Sequence, residues 1–414
     1  MLQRFCAATT NWFINGMFQY QEPPPLQHII LLGFKQGAGF EFQEFPAEGP
    51  KLASTLAPMY PVKKNASIKW KLRITTPSGE NTRISMSDQN DRTFAEFFAG
   101  IGLMRIGLER AGWQISFAND IEEDKWQMYR DNFGETGEFV VGDVHQLDAA
   151  KVPSVALATA SFPCNDLSLA GARRGLAGSQ SSAFWGFIDV LTKMGPRRRP
   201  PMILLENVTG FLTSHAGDDF RDALLALNRL GYAVDAFIID AVRFVPQSRQ
   251  RLFVVGIKTS DLSALNETPS FYQSDARPPA LADFILWNPE INWLIRRLPL
   301  LPNFEVRLDD ILEDLSPNSQ MWWSRERCDY LLNQMSPKHR AAADAMIRGQ
   351  RTSYGTVFRR VRNGKSMAEL RTDGIAGCLR TPRGGSGRQI LVAAGKSRCA
   401  IEPQASRSRA RLCS

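Results

Sequence analysis

Four short segments carry side chains that can hold a ligand, act as a nucleophile and move a proton. SFPCNDLS (161–168) contains an isolated cysteine, Cys164, directly after Pro163. Proline fixes the local turn, and a cysteine there becomes a nucleophile when its thiolate is stabilised. LLENV supplies Glu206 and Asn207, and a carboxyl close to a thiol is usable as a general acid on a ring nitrogen. PQSRQRLFVVG sets Arg249 and Arg251 two residues apart as a strand begins. That spacing puts both guanidiniums on one face, where they can hold a phosphate or a polar base edge. FFAGIG (97–102) has small residues at Gly100 and Gly102, which let a ligand approach the backbone and a helix N-terminus.

Two acids complete the set. Asp120, 20 residues after Gly100, stands where a carboxylate can accept hydrogen bonds from ribose hydroxyls, and Asp143, in GDV, can take an adenine amino group. Arg105 replaces the third glycine of the dinucleotide fingerprint, which argues against a nicotinamide cofactor. Taken singly, each residue also has a plainer reading as an inert buried thiol, an exposed loop acid or a solvated arginine.

The surrounding pattern supplies elements that would position them. From Arg92 onward, apolar runs alternate with helix-like segments, the signature of a parallel α/β sheet. Strands are predicted at 93–97, 113–119, 139–141, 155–161, 202–206, 234–240 and 252–257, with helices at 103–111 and 220–230. The last two strands suggest a terminal antiparallel hairpin. Cys164, Glu206 and Asn207 then share the carboxyl edge of the sheet, where ligands of open α/β folds bind. After Lys258 Pro and Trp become frequent and the rhythm is lost, which predicts a second, smaller domain over 259–375.

Composition sets limits. The 414 residues are 43% hydrophobic and 22% charged, enough to bury a sizeable core. No run reaches 18 consecutive apolar residues and the opening lacks the apolar stretch of a signal peptide, so a cytoplasmic protein with no membrane partner is expected. The six cysteines include no C-x-x-C pair, which argues against structural zinc or any other metal site and against a disulfide framework. The net charge of +8 is uneven: residues 345–414 hold 15 Lys and Arg against 3 Asp and Glu. A basic end of this kind suits a polyanion. Residues 1–90, with PPP at 23–25, have no sustained period, and translation starting at Met86 is one expectation for them.

FAGIG, PCNDLS, ENV and Q-x-R-x-R (247–251) occur in the order found in bacterial cytosine-5 DNA methyltransferases. The chain resembles that family over about 92–260, with a weaker echo at LRTPRGGSGRQ (379–389). The resemblance implies a Rossmann-like S-adenosylmethionine-dependent methyltransferase sheet in a catalytic domain over 91–258, a target-recognition region over 259–375 and a partial return to the catalytic domain over 376–414. It implies that Cys164 adds to carbon 6 of a cytosine flipped out of the duplex, that Glu206 protonates or hydrogen-bonds ring nitrogen 3, that Asn207 holds the loop, and that Arg251 and Arg249 contact the base and its phosphate. S-adenosylmethionine would lie among Phe98, Gly100, Gly102, Asp120, Ile121, Asp143, Val144 and Pro163. Residues 169–182 resemble the family's closing loop. The implied partners are double-stranded DNA, through which the protein would associate with the nucleoid, and a cognate restriction endonuclease. Arg359, Arg360, Arg362 and Lys365 are candidate phosphate contacts; Trp322, Trp323, Arg325 and Arg327 could pack a core or meet a groove.

The family's terminal T-P-R-E and G-N-x-V motifs are not seen after Ile390, and a frameshift near Lys396 is the expectation drawn from this. The alternatives are a catalytically silent DNA-binding relic and a transfer RNA cytosine-5 methyltransferase, although the Cys-Phe-Thr motif of that branch is not present.

Overall fold

The computed structural model describes residues 92–163, 182–258, 273–296, 298–303, 306–312, 319, 322–362, 364–378 and 389–395, and the backbone of strands at 28–32, 42–46, 74–75, 81–82 and 398–402. The chain divides into two units, Gly16–Asp91 and Met1–Asn15 with Arg92–Ser414. In the first, β1 (His28–Leu32) pairs antiparallel with β2 (Phe42–Pro46), and β3 (Ile74–Thr75) with β4 (Asn81–Thr82).

The second unit begins with β5 (Thr93–Phe97), α1 (Leu103–Arg110), β6 (Gln114–Asp120), α2 (Glu123–Phe133), β7 (Phe139–Val141) and β8 (Leu157–Ala160). It continues through α3 (Ala183–Arg198), β9 (Met202–Asn207), α4 (Asp218–Arg229), β10 (Tyr232–Asp240) and β11 (Gln250–Lys258). Among the described residues, seven strands form one sheet in the order β10-β11-β9-β8-β5-β6-β7. Neighbours from β7 to β9 run parallel, while β11 lies antiparallel between β9 and β10. The sheet is the predicted α/β architecture with its terminal antiparallel hairpin.

Strands covered on both faces need apolar side chains on both, and β8 (LATA) and residues 94–97 of β5 are buried throughout. α4 shows the complementary pattern. Phe220, Ala223, Leu224 and Leu227 fall on one stripe and are fully buried, while Asp218 and Asp219 open the helix and Arg229 closes it, each suited to the helix dipole.

Chain beyond the hairpin packs on the same core. In α5 (Pro279–Trp287), Leu281, Phe284 and Ile285 join the cluster around the large sheet. Leu294 N–H donates to Val234 O at 2.7 Å and Val234 N–H to Asn292 O at 2.9 Å. Arg277, 1% exposed, donates through Nη2 to both oxygens of Asp235 at 2.8 and 2.7 Å.

A second, antiparallel sheet contains β12 (Ser353–Arg362), β13 (Lys365–Arg371), β14 (Gln389–Gly395) and β15 (Arg398–Glu402), in the order β13-β12-β14-β15. α6 (Arg325–Asn333) and α7 (Pro337–Arg348) cover one face, where Leu331, Leu332 and Ala343 meet Val357, Leu370, Ile390 and Val392. The alternation of strand and helix is lost here in the sequence; the structure shows instead alternation of apolar and charged residues on strands with one covered face. Residue 376 links the two sheets, since Ala376 N–H donates to Pro246 O and Ser248 N–H to Ala376 O, both at 2.8 Å. Among the described residues no helix is long and apolar enough to cross a membrane.

Candidate active site

The turn after β5 is built from left-handed backbone. Phe98 (φ 58), Gly100 (φ 57) and Gly102 (φ 78) all have positive φ, a conformation uncommon for a bulky residue such as Phe98. The two glycines serve different ends. A Cβ on Gly100 would meet nothing within 4 Å, so its backbone faces open space. A Cβ on Gly102 would lie 2.3 Å from Cε2 of Phe133, so this glycine lets α1 approach α2. Arg105 fixes the same contact: Nη1 binds Tyr129 Oη at 2.9 Å and Glu138 Oε1 at 2.6 Å, and the guanidinium sits 4.1 Å from the Phe133 ring centre. Beneath the turn lies Glu96, 3% exposed, whose Oε2 has no hydrogen-bond partner. Burial pushes its carboxyl up to about 8, against the opposing pull of Arg105 and the backbone N–H groups of Met104 and Arg105.

Asp120 closes the turn from β6. Its Oδ2 accepts from Gly100 N–H at 2.9 Å, its Oδ1 from Glu122 N–H at 3.1 Å, and Lys125 Nζ lies 3.2 and 3.3 Å from the two oxygens. Ile121 is 62% exposed, a large apolar side chain beside this acid. Asp143 caps the short turn Val144–Gln146 by accepting from His145 N–H at 3.0 Å. Val144 is buried in the core, and the space a Cβ on Gly186 would need is filled by its Cγ1.

At the carboxyl edge of the central strands, β8 runs into Phe162, which is buried, and Pro163, which is exposed. Cys164 and the expected closing loop over 169–182, up to residue 181, lie outside the described residues. Asn207, 4% exposed at the end of β9, donates through Nδ2 to Phe162 O at 3.3 Å, and its Oδ1 accepts from Val208 N–H at 2.8 Å. Asn207 thus ties β9 to the residue two places before Cys164. The register of β9 and β11 sets Glu206 opposite Phe253. Arg251 Nε reaches Glu206 Oε1 at 2.8 Å, with both side chains largely withdrawn from solvent. Arg249 goes elsewhere: its N–H donates to Asp240 Oδ1 at 2.7 Å and its Nη1 to Cys378 Sγ at 3.3 Å. The alternation that suggested one shared face for the two arginines therefore divides them between two partners.

On the second sheet, Arg360 and Arg362 both pair with Glu369, at 3.1 and 2.8 Å. Arg359 is half-buried and its Nε has no partner, and Lys365 is exposed. Trp323 packs against the core of this sheet with the Arg327 guanidinium 3.9 Å from its ring centre; Trp322 is half-buried and Arg325 is exposed. Residues 379–388, with most of the LRTPRGGSGRQ echo, lie outside the described residues. Lys125 and Cys378 touch candidate site residues that spacing did not connect them to: Lys125 meets Asp120 from five residues along the chain, whereas Cys378 meets Arg249 only through the fold.

The family model for C-5 cytosine-specific DNA methylase matches residues 92–376, well over half of the chain. The chain belongs to the C-5 cytosine-specific DNA methylase family. Among curated proteins, the chain is 35% identical over 165 residues to Type II methyltransferase M.BsuFI of Bacillus subtilis, covering 40% of this chain and 39% of that one. It is 27% identical over 217 residues to Type II methyltransferase M.HhaI of Haemophilus parahaemolyticus, covering 51% and 63%. The chain thus spans less than two thirds of the length of either relative. The crystal structure of the S. pombe Dnmt2 methyltransferase aligns with a TM-score of 0.41 at 23% identity, over 59% of this chain and 67% of that one.

Proposed function

We propose that this chain transfers a methyl group from S-adenosylmethionine to carbon 5 of a cytosine in double-stranded DNA. The observation that carries this reading is the convergence at one sheet edge of Glu206, gripped by Arg251 at 2.8 Å, and Asn207, bonded to Phe162 beside the Cys164 segment.

The Cys164 thiolate forms a bond to carbon 6 of the extruded base while Glu206 protonates or hydrogen-bonds nitrogen 3, which makes carbon 5 nucleophilic. Arg251 holds Oε1 of Glu206 and so aims the other oxygen at the ring; Asn207 fixes the carbonyl of Phe162 and with it the direction in which the chain leaves β8. After carbon 5 gains the methyl group it loses its proton, the sulfur–carbon bond breaks, and the thiolate is regenerated. S-adenosylmethionine, when bound, supplies the methyl group as an electrophile.

The residues present fit that donor. Gly100 leaves open space at the turn, Ile121 offers an apolar face to adenine, Asp120 stands at the ribose position, and Asp143 lies at the next strand end. The basic hairpin of β12 and β13 would lie on duplex phosphates, and a cognate restriction endonuclease would be the natural partner of a Type II modification enzyme.

Trapping on DNA tests the covalent step. In a random-sequence duplex pool carrying 5-fluorocytosine, carbon 5 has no proton to lose, so the adduct accumulates. A protein–DNA conjugate that requires S-adenosylmethionine and disappears in Cys164→Ser is expected. No conjugate with a folded protein, or one that survives Cys164→Ser, contradicts the reading.

A further inference from the structure

The acid at the end of β6 already has a full set of donors. A carboxylate offers about four lone-pair sites. On Asp120, two are taken by the backbone N–H groups of Gly100 and Glu122, which shape the turn, and Lys125 spans the remainder at 3.2 and 3.3 Å. These near-equal distances set the ammonium between the two oxygens, in the bidentate position that a vicinal diol would take. The Asp120 side chain is 4% exposed, so its charge would be costly without a partner. Lys125 is 35% exposed and has a second carboxylate, Glu122, 3.2 Å away.

We infer that Lys125 is a displaceable counterion of the cofactor cradle. It competes with the diol of a nucleoside for the ribose position on Asp120 and is left to Glu122, already 3.2 Å away, when that diol docks. This inference rests on reading the turn as an S-adenosylmethionine site. It makes Lys125 a competitor of donor and product alike, and it gives cofactor affinity an unusual salt response. Only the Lys125 end of the pair meets solvent, Asp120 being buried, so salt screens it in part and modestly strengthens cofactor binding, opposite to its effect on DNA binding.

Calorimetric titration of the full chain with S-adenosylhomocysteine, without DNA and at low and high salt, tests this. Methionine keeps the length and helix propensity of lysine without the charge, so Lys125→Met is the informative variant and Lys125→Arg the charge-retaining control. At low salt Lys125→Met is expected to bind about two- to fivefold more tightly than the wild type, in keeping with a partly exposed ion pair. The wild type and Lys125→Arg should tighten as salt rises, while Lys125→Met stays flat. Equal or weaker binding by Lys125→Met, or a wild-type affinity indifferent to salt, overturns the inference while leaving the cofactor site intact. If no variant binds S-adenosylhomocysteine although circular dichroism shows all of them folded, the cofactor reading fails and the inference falls with it.

Discussion

Arg251 Nε lies 2.8 Å from Glu206 Oε1, across two adjacent antiparallel strands whose register fixes the approach. One strand therefore presents the carboxyl and its neighbour orients it. Glu206→Gln is expected to lower kcat by about 10² or more, the range of a lost general acid. Arg251→Ala should lower kcat by less, and Arg251→Lys should restore only part of the loss because an ammonium lacks the planar donor geometry of guanidinium. Steady-state methyl transfer checks this order; an Arg251→Ala enzyme with unchanged kcat contradicts it.

Asn207 bonds the carbonyl of Phe162 from a buried position. Asn207→Ala leaves that carbonyl unpaired and is expected to destabilise the fold by roughly 1–3 kcal/mol. It should also lower the rate of 5-fluorocytosine trapping, since the segment leading to Cys164 loses its tie to β9. Denaturant unfolding and trapping kinetics read the two effects, and a variant normal in both contradicts the proposed role.

The two glycines of the turn separate stability from binding. Gly102→Ala forces a Cβ against Phe133 at positive φ, so a loss of about 1–3 kcal/mol of stability is expected, as in overpacked cores. Gly100→Ala meets open space and carries only the strain of left-handed backbone, about 1–2 kcal/mol, yet it places a methyl group where the cofactor would approach. Its loss should appear mainly in S-adenosylhomocysteine affinity. The reverse pattern would contradict the assignment of Gly100 to the ligand and Gly102 to helix packing.

Glu96 predicts a pH dependence of stability. In the unfolded chain it titrates near 4.5, whereas in the fold burial raises it to about 8. Between these values the folded state binds more protons than the unfolded state, so this residue's contribution to stability falls as pH rises from about 4.5 and levels off above about 8. Glu96→Gln keeps an acceptor for the N–H groups of Met104 and Arg105 and removes the titration. Its Tm should therefore gain on the wild type with rising pH across that window; parallel curves would contradict the account.

The large sheet was legible because its strands are apolar runs closed by glycine or charged residues, and because α4 has a complete apolar stripe. α2 escaped notice: within EDKWQMYRDNF only Tyr129 is buried, so no apolar period marks it. The β12–β13 hairpin is visible in the sequence only as candidate phosphate contacts, because one face carries Arg360, Arg362 and Glu369. In the site, the segments bearing Glu206, Asn207 and Arg251 were legible as motifs on strand ends. The separate destination of Arg249 and the packing role of Gly102 were not, because each depends on residues brought close only by the fold; the saturation of Asp120 by Lys125 is a contact between near neighbours in sequence that no apolar period marks.

The central claim is cytosine-5 methylation through Cys164. Transfer of labelled methyl from S-adenosylmethionine to unmethylated plasmid and genomic DNA, with Cys164→Ser in parallel and bisulfite sequencing of the product, tests it directly. The account predicts label at carbon 5 of cytosine within a defined sequence, lost in Cys164→Ser. No label with a folded protein, or label that persists in Cys164→Ser, would contradict it.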